Sequence, residues 1–308
     1  MPIYTTRTIK LSDLGEFGLI NRIKEQVGKS SSVIQGIGDD AAVVAGPSDK
    51  YLLLTTDMLL EGVHFTEKSP ARAIGHKAIA TSISDIAAMG GKPKYLVISL
   101  GMPASASWQF VSGIYQGMAK TAKEFNVSII GGDTVNSGKM IINVSMVGIV
   151  NKKEVIYRSG ARVGDHIFVT GPLGRSLLSK WHLCFVPRVA QAQYLVKKYK
   201  PTAMIDISDG LAADLGHIMA ESKVGAILEE NLIPLRRYAI LKEALYEGED
   251  FELLFTLPAL QAQKLQNLKK KEHVFYRIGQ IVGRKKGMQI KTIKGVFKKI
   301  QAEGYTHF

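Results

Sequence analysis

The chain has 308 residues, 46% hydrophobic and 22% charged, with a formal net charge of +13. This excludes a disordered or fibrous polypeptide, and the length suits two domains of roughly 150 residues. No stretch approaches the ~18 apolar residues of a membrane-spanning helix, and the N-terminal MPIYTTRTIK lacks an apolar signal core, so a cytoplasmic location is expected.

In chain order, 33–37, 42–45 and 51–55 read as strands, rich in Val, Ile and Leu and bounded by Gly or Pro. Residues 71–89 read as a helix, with Ile74, Ala78, Ile79, Ile83, Ile86 and Ala87 at helical spacing and a Gly90-Gly91 stop. A strand is expected at 95–102, a second helix at 108–125, and strands at 127–130 and 141–149. The polar, turn-rich NKKEVIYRSGARVGD that follows marks the expected boundary between a domain at 1–150 and another at 151–308. The second half then offers a strand at 166–170, an indistinct helical region after Gly171-Pro172, and a strand at 203–207. A helix at 210–222 and strands at 226–229, 251–256 and 275–282 complete it. The expected fold class is α+β: two mixed α/β domains with a cleft between them.

The lone cysteine, Cys184, excludes an internal disulfide and fits a reducing compartment. The basic residues come in short runs at 197–200, 269–271, 284–286 and 298–299, without a binding module or interleaved aromatics. They read as solvated surface that can draw anionic substrates, and a nucleic-acid partner is not expected.

The aspartates are the informative feature. Asp57 lies in YLLLTTDMLL, Asp85 in AIATSISDIAAMG and Asp133 in SIIGGDT, while Asp206 and Asp209 bracket MIDISDG and Asp39-Asp40 end IQGIGDD. An ionised carboxylate among apolar neighbours costs several kcal/mol unless something pairs with it. One such residue is ordinarily a cap or a turn, but here the situation recurs at the expected strand ends with no lysine or arginine in those segments. Close carboxylates repel, and a hard divalent cation with oxygen ligands relieves both costs. Mg²⁺ in particular combines few carboxylates with substrate phosphates, so the pattern points to a multi-metal phosphate site. Thr55, Thr56, Thr134 and Ser208 add hydroxyls, and Gly132 and Gly210 allow close backbone approach. Ser208 serves equally as a helix cap, Arg158 equally as a linker residue or a phosphate ligand, His64 by itself as a structural histidine, and Glu249 as part of a charged loop. Walker A, dinucleotide, protein-kinase and HExxH signatures are absent.

These motifs, in this order, resemble the thiamine-monophosphate kinase family, within the superfamily that includes aminoimidazole ribonucleotide synthetase. The matching stretches are GEFGLI at 15–20, GIGDDAAVV at 36–44, TTDMLLEGVHF at 55–65, SDIAAMGGKP at 84–93 and IIGGDT at 129–134. RSGARVGD at 158–165, IDISDGLAADLGHI at 205–218, GEDFELLF at 248–255 and GYTHF at 304–308 continue the series. The resemblance implies transfer of the ATP γ-phosphoryl group to thiamine monophosphate, in a homodimer joined through N-terminal strands. By matched position it implies that Asp40, Thr55, Thr56, Asp57, Asp85, Asp133, Asp206 and Asp209 hold several Mg²⁺ ions. It gives Gly132, Asp133, Arg158 and Ser208 to ATP, and His64, Glu249 and Tyr305 to thiamine monophosphate. No general base is assigned, because the acceptor is already an ionised phosphate oxygen. The segment between Gly171 and Asp206 is shorter than the family's. The alternatives are another ATP-dependent enzyme of the superfamily, such as aminoimidazole ribonucleotide synthetase or selenophosphate synthetase, an inactive thiamine-phosphate-binding relative, and a basic nucleic-acid-binding protein.

Overall fold

The computed structural model describes residues 9–28, 30–267 and 273–307; the lysine run at 269–271 lies outside them. An initial helix α1 (Leu11–Gln26) is turned at Gly15, where φ is +64°. Six strands then form the first sheet: β1 (Val33–Gln35), β2 (Ala42–Ala45), β3 (Lys50–Leu60), β4 (Lys92–Met102), β5 (Ser128–Asn136) and β6 (Ile141–Asn151). Their order is β1-β2-β3-β6-β4-β5, antiparallel throughout except for the parallel pair β4–β5. Helices α2 (Ala71–Ala88) and α3 (Trp108–Glu124) cover one face, where Leu53, Ile98 and Val144 meet Ile79, Ile83 and Ile114.

The second sheet contains β7 (His166–Val169), β8 (Ala203–Asp206), β9 (Gly225–Glu229), β10 (Leu253–Leu257), β11 (Tyr276–Val282), β12 (Met288–Lys291) and β13 (Phe297–Lys299). Its order is β13-β12-β9-β11-β7-β10-β8. Helices α5 (Leu211–Ser222) and α6 (Leu241–Tyr246) pack on one face, against Ile167, Ile205 and Leu254. On the other, α4 (Val189–Lys198) and α7 (Ala259–Gln266) meet Phe168, Met204 and Phe255. Covered on both faces, β10 is buried along its whole length and reads as the unbroken apolar run LLFTL.

Helix α2 belongs to both halves. Its Ile74, Ile79 and Ile83 fill the first core, whereas Ala87 and Ala88 join the cluster around Phe168, Met204 and Leu195. Small side chains on that flank let the second sheet approach. Against α3 the helix axis comes closer still: a Cβ on Gly75 would meet the Ile114 carbonyl oxygen at 1.9 Å, and one on Gly117 the Arg72 oxygen at 2.0 Å.

Two strands run on past their expected ends. β3 continues to Leu60 because β6 pairs with every residue of it, from Lys50↔Asn151 to Leu60↔Ile141. β5 likewise extends to Asn136 in register with β4. Asp57 and Asp133 therefore sit within strands, not after them: the polar TTD and GGDT look like strand ends in sequence, but ladder hydrogen bonds do not depend on side-chain polarity. The region after Gly171-Pro172 is mostly irregular, with a 3₁₀ turn at Trp181–Leu183 before α4 begins at Val189.

Candidate active site

Alternation along β3 turns Thr55 and Asp57 toward α2, which lays Ser82, Ser84 and Asp85 along the seam between the two sheets. Asp206 enters from the end of β8 and Asp40 from the loop before β2. Carboxylate oxygens of Asp40, Asp85 and Asp206 all lie within 4.8 Å of one another. Hydroxyls steady the group: Thr55 donates to Asp85 at 2.5 Å, Ser82 to Asp57 at 2.6 Å and Ser84 to Asp206 at 2.6 Å. The Arg158 guanidinium donates to Asp40 at 2.7 Å, and the Arg158 backbone N–H to Asp39 at 3.2 Å.

One arginine does not balance this many acids. Burial pushes the Asp206 carboxyl up to about 8, with Asp40 adding to it, and Asp39 up to about 7, again with Asp40. Asp85 is raised well above its ordinary range by burial and by Asp57, Asp206 and Asp40; burial raises Asp57 and Asp40 too. Among the described residues, Asp40 Oδ2 and Arg158 Nε are buried without a hydrogen-bond partner. Oxygen donors only, mutual repulsion and an orphaned carboxylate oxygen are what a hard divalent cation would satisfy, so these residues fit Mg²⁺.

Asp57, beside the cluster, borders a cavity of about 430 Å³ that His64, Ser208, Asp209, Glu249 and Tyr305, among others, also line. Asp209 is raised to about 6 by burial and by Glu16 of α1. Its carbonyl accepts from Tyr305 N–H at 3.0 Å, and the His307 N–H donates to Glu16 at 3.1 Å, so the last residues cross the cavity mouth to α1. The Tyr305 ring, 46% exposed, stands edge-on to His307. His64 Nδ1 accepts from Leu60 N–H at 3.0 Å; burial, then Lys77, lowers its pKa, which leaves a neutral ring with its proton on Nε2. Ser208 precedes α5, and its carbonyl accepts from Glu249 N–H at 2.7 Å.

Three of the expected residues stand apart. The Thr56 hydroxyl lies on the opposite face of β3, donating to Asn143 at 3.2 Å and lying 3.0 Å from the Ser145 hydroxyl, although Thr56 still borders the cavity. Gly132 and Asp133 are exposed on the edge strand β5. Along the row Met58–Asn143–Ser99–Asp133, Asp133 is three strands from β3, roughly 14 Å at ~4.8 Å per strand. Within one protomer it does not join the other acids.

Other residues join the site without having been singled out in sequence. Lys77 and His182 flank Glu249, and Asp214 of α5 groups with Asp209 and His217, their ligand atoms within 4.8 Å of one another. Lys77 follows Arg72 and His76 in the first half of α2 and so carried no distinct signal, and neither did His182 in its irregular stretch.

Comparison with known proteins agrees with the two-sheet fold. The model of the AIR synthase related protein N-terminal domain matches residues 38–150, and that of the C-terminal domain matches 138–291. The thiamine-monophosphate kinase of Buchnera aphidicola subsp. Acyrthosiphon pisum is 37% identical over 95% of this chain and 98% of its own length. The Aquifex aeolicus thiamine-monophosphate kinase is 35% identical over 97% of this chain and 100% of its own. The solved structure of AaThiL complexed with AMPPCP and TMP superposes with a TM-score of 0.84 at 33% identity, covering 98% of this chain and 100% of that one. With full-length identity at this level, on the same two-sheet architecture, the chain belongs to the thiamine-monophosphate kinase family.

Proposed function

We propose that this protein transfers the γ-phosphoryl group of ATP directly to thiamine monophosphate, giving thiamine diphosphate and ADP. The observation that carries the reading is a buried carboxylate cluster with an orphaned oxygen, next to Asp57, which borders a cavity that also meets His64, Glu249 and Tyr305. The relatives named for this activity support it, as does the neighbour bound to AMPPCP and TMP. In this reading Asp40, Thr55, Thr56, Asp57, Asp85, Asp206 and Asp209 hold Mg²⁺ ions together with Asp133. When bound, the metal neutralises phosphate charge and aligns the transferring group. Gly132, Asp133, Arg158 and Ser208 bind ATP, with the Arg158 guanidinium as a planar donor to phosphate. His64, with its Nε2 proton, Glu249 and the Tyr305 ring receive thiamine monophosphate. The acceptor oxygen is ionised at neutral pH, so no side chain need remove a proton from it.

The same reading includes a homodimer. An antiparallel sheet with one face in water normally alternates apolar inside with polar outside. The outer face of the first sheet instead presents Leu54, Met58, Tyr95 and Val97, exposed by 39% to 59%. We read it as the contact between two copies, which would bring the partner's Asp133 toward the acids that its own protomer holds three strands away. Residues 1–150 then supply pairing and most metal ligands, and 151–308 complete the site. Among the described residues no helix is long and apolar enough to cross a membrane, and with one cysteine this supports a cytoplasmic enzyme.

The test is turnover by purified protein with Mg–ATP and thiamine monophosphate, with free thiamine and an aminoimidazole precursor as alternative acceptors. Equal amounts of thiamine diphosphate and ADP, dependent on Mg²⁺, are expected. ADP formed only with another acceptor would reject the assignment.

A further inference from the structure

Lys77 is fully buried on α2 and does not line the cavity. Its Nζ donates to Glu249 Oε1 at 2.5 Å and to the His64 backbone carbonyl at 2.8 Å. His182 Nδ1 lies between the two charges, 3.1 Å from Lys77 Nζ and 3.0 Å from Glu249 Oε2. A single ammonium from the first domain thus grips two cavity residues at once, one on the β3–α2 loop and one in the second domain.

Stability does not explain this placement. Burying an ammonium costs several kcal/mol before pairing, and a buried ion pair is often no better than apolar residues of the same volume. Ordinary apolar side chains would fill the position, as they do at Ile74 and Ile83. The gripped segment is also held in a sparsely populated conformation: Glu249 has φ +67° and Phe251 φ +49°, left-handed values that non-glycine residues rarely adopt. Backbone hydrogen bonds from Glu249 N–H to Ser208 and from Phe251 N–H to Ile207 tie it to the end of β8. The result is a Glu249 whose Oε1 is committed to Lys77. Its Oε2 is buried and has no aligned hydrogen bond, despite the nearness of His182. Glu249 also borders the cavity, whose proposed ligand, thiamine monophosphate, carries an exocyclic amino group on its pyrimidine.

We propose that Lys77 is the positioning residue for the acceptor half of the site, fixing the Glu249 carboxylate and the His64 segment so that Glu249 receives an N–H donor of the acceptor's aminopyrimidine. Lys77 itself touches no substrate. The inference rests on the kinase reading above, and it separates acceptor recognition from nucleotide recognition, because none of Lys77's partners belongs to the carboxylate cluster.

Steady-state kinetics of Lys77→Met, Glu249→Gln and the double variant test it. Lys77→Met should raise KM for thiamine monophosphate roughly ten- to a hundredfold, the scale of a lost hydrogen bond to a charged group, and leave KM for Mg–ATP unchanged. The double variant should be no worse than the poorer single, because both changes disable the same carboxylate. An unmoved acceptor KM in Lys77→Met, a parallel rise in both KM values, or multiplicative losses in the double variant would each overturn the proposal. If Lys77→Met does not fold, the double variant, which leaves no unpaired buried charge, is compared with Glu249→Gln. An acceptor KM that is equal or raised, with KM for Mg–ATP unchanged, supports the positioning role, and a raised KM for Mg–ATP rejects it. Wild-type protein that makes no thiamine diphosphate overturns the kinase reading itself, whereas active wild type with an unaffected Lys77→Met overturns only the positioning role.

Discussion

Asp85 shows most plainly how function and stability oppose each other at single residues. Its carboxylate is crowded by Asp57, Asp206 and Asp40, and the Thr55 hydroxyl donates to it. Asp85→Asn should lower turnover by at least about a hundredfold, the usual loss when a group that stabilises transferring charge is removed. The same change should raise the melting temperature in chelator, since one buried like charge is gone; a fall in that temperature would mean the acids are not in conflict. A pH dependence follows from the same crowding. The Asp206, Asp39 and Asp209 carboxyls titrate near 8, 7 and 6 in the folded protein, against an ordinary value of 3.8. Between those values the native state holds more protons than the unfolded chain, so stability falls as pH rises. What these groups contribute is fully present below pH 3.8 and is lost as pH climbs through about 8. Metal-free protein should therefore melt at higher temperature at pH 5.5 than at pH 8, and added Mg²⁺ should raise the melting point most at the higher pH. No gain from Mg²⁺ at pH 8 would count against metal binding by this cluster.

At the scale of elements, α2, α3, α5 and most core strands were legible because burial enforces period, whereas α1, α6, α7, β12 and β13 were not expected. The Ile74, Ile79 and Ile83 spacing announced α2, and the run expected as a strand at 251–256 announced β10, which spans Leu253–Leu257. Composition also exposed the acids, because carboxylates stand out wherever a segment is otherwise apolar. Three-dimensional pairing was not legible. Nothing local tells that β6 carries β3 through Thr55, Thr56 and Asp57 to Leu60, or that Thr56 and Asp57 consequently face opposite sides of the sheet. Nor does sequence show that α1, which buries none of its residues, meets the chain terminus through Glu16 and His307. The α2–α3 crossing gives a prediction at this scale. Since a side chain on Gly117 would run into the Arg72 backbone, Gly117→Val should lower stability by about 1–3 kcal/mol or more, read from the urea midpoint. An unchanged midpoint would mean that the helices can separate freely.

For the whole molecule, the position of Asp133 makes pairing of two copies a matter of catalysis as well as of assembly. If Asp133 works on the partner's acids, Asp57→Ala and Asp133→Ala should each be inactive alone yet recover activity when mixed. Random re-pairing leaves half the dimers mixed, each with one intact site, so about a quarter of wild-type turnover is expected. Absence of recovery after demonstrated subunit exchange would confine Asp133 to its own protomer or remove it from the chemistry.

The shared helix α2 has a consequence for how the molecule comes apart. One side of it completes the first core, and the other presents Lys77, Ser84, Ala87 and Ala88 to the second half. A fragment ending near residue 150 would leave that flank bare, and the complementary fragment would lose a wall of its own interior. Neither half has a private boundary along which to let go first. Heating should accordingly melt the protein in one cooperative step, with the site vanishing in the same transition as the fold.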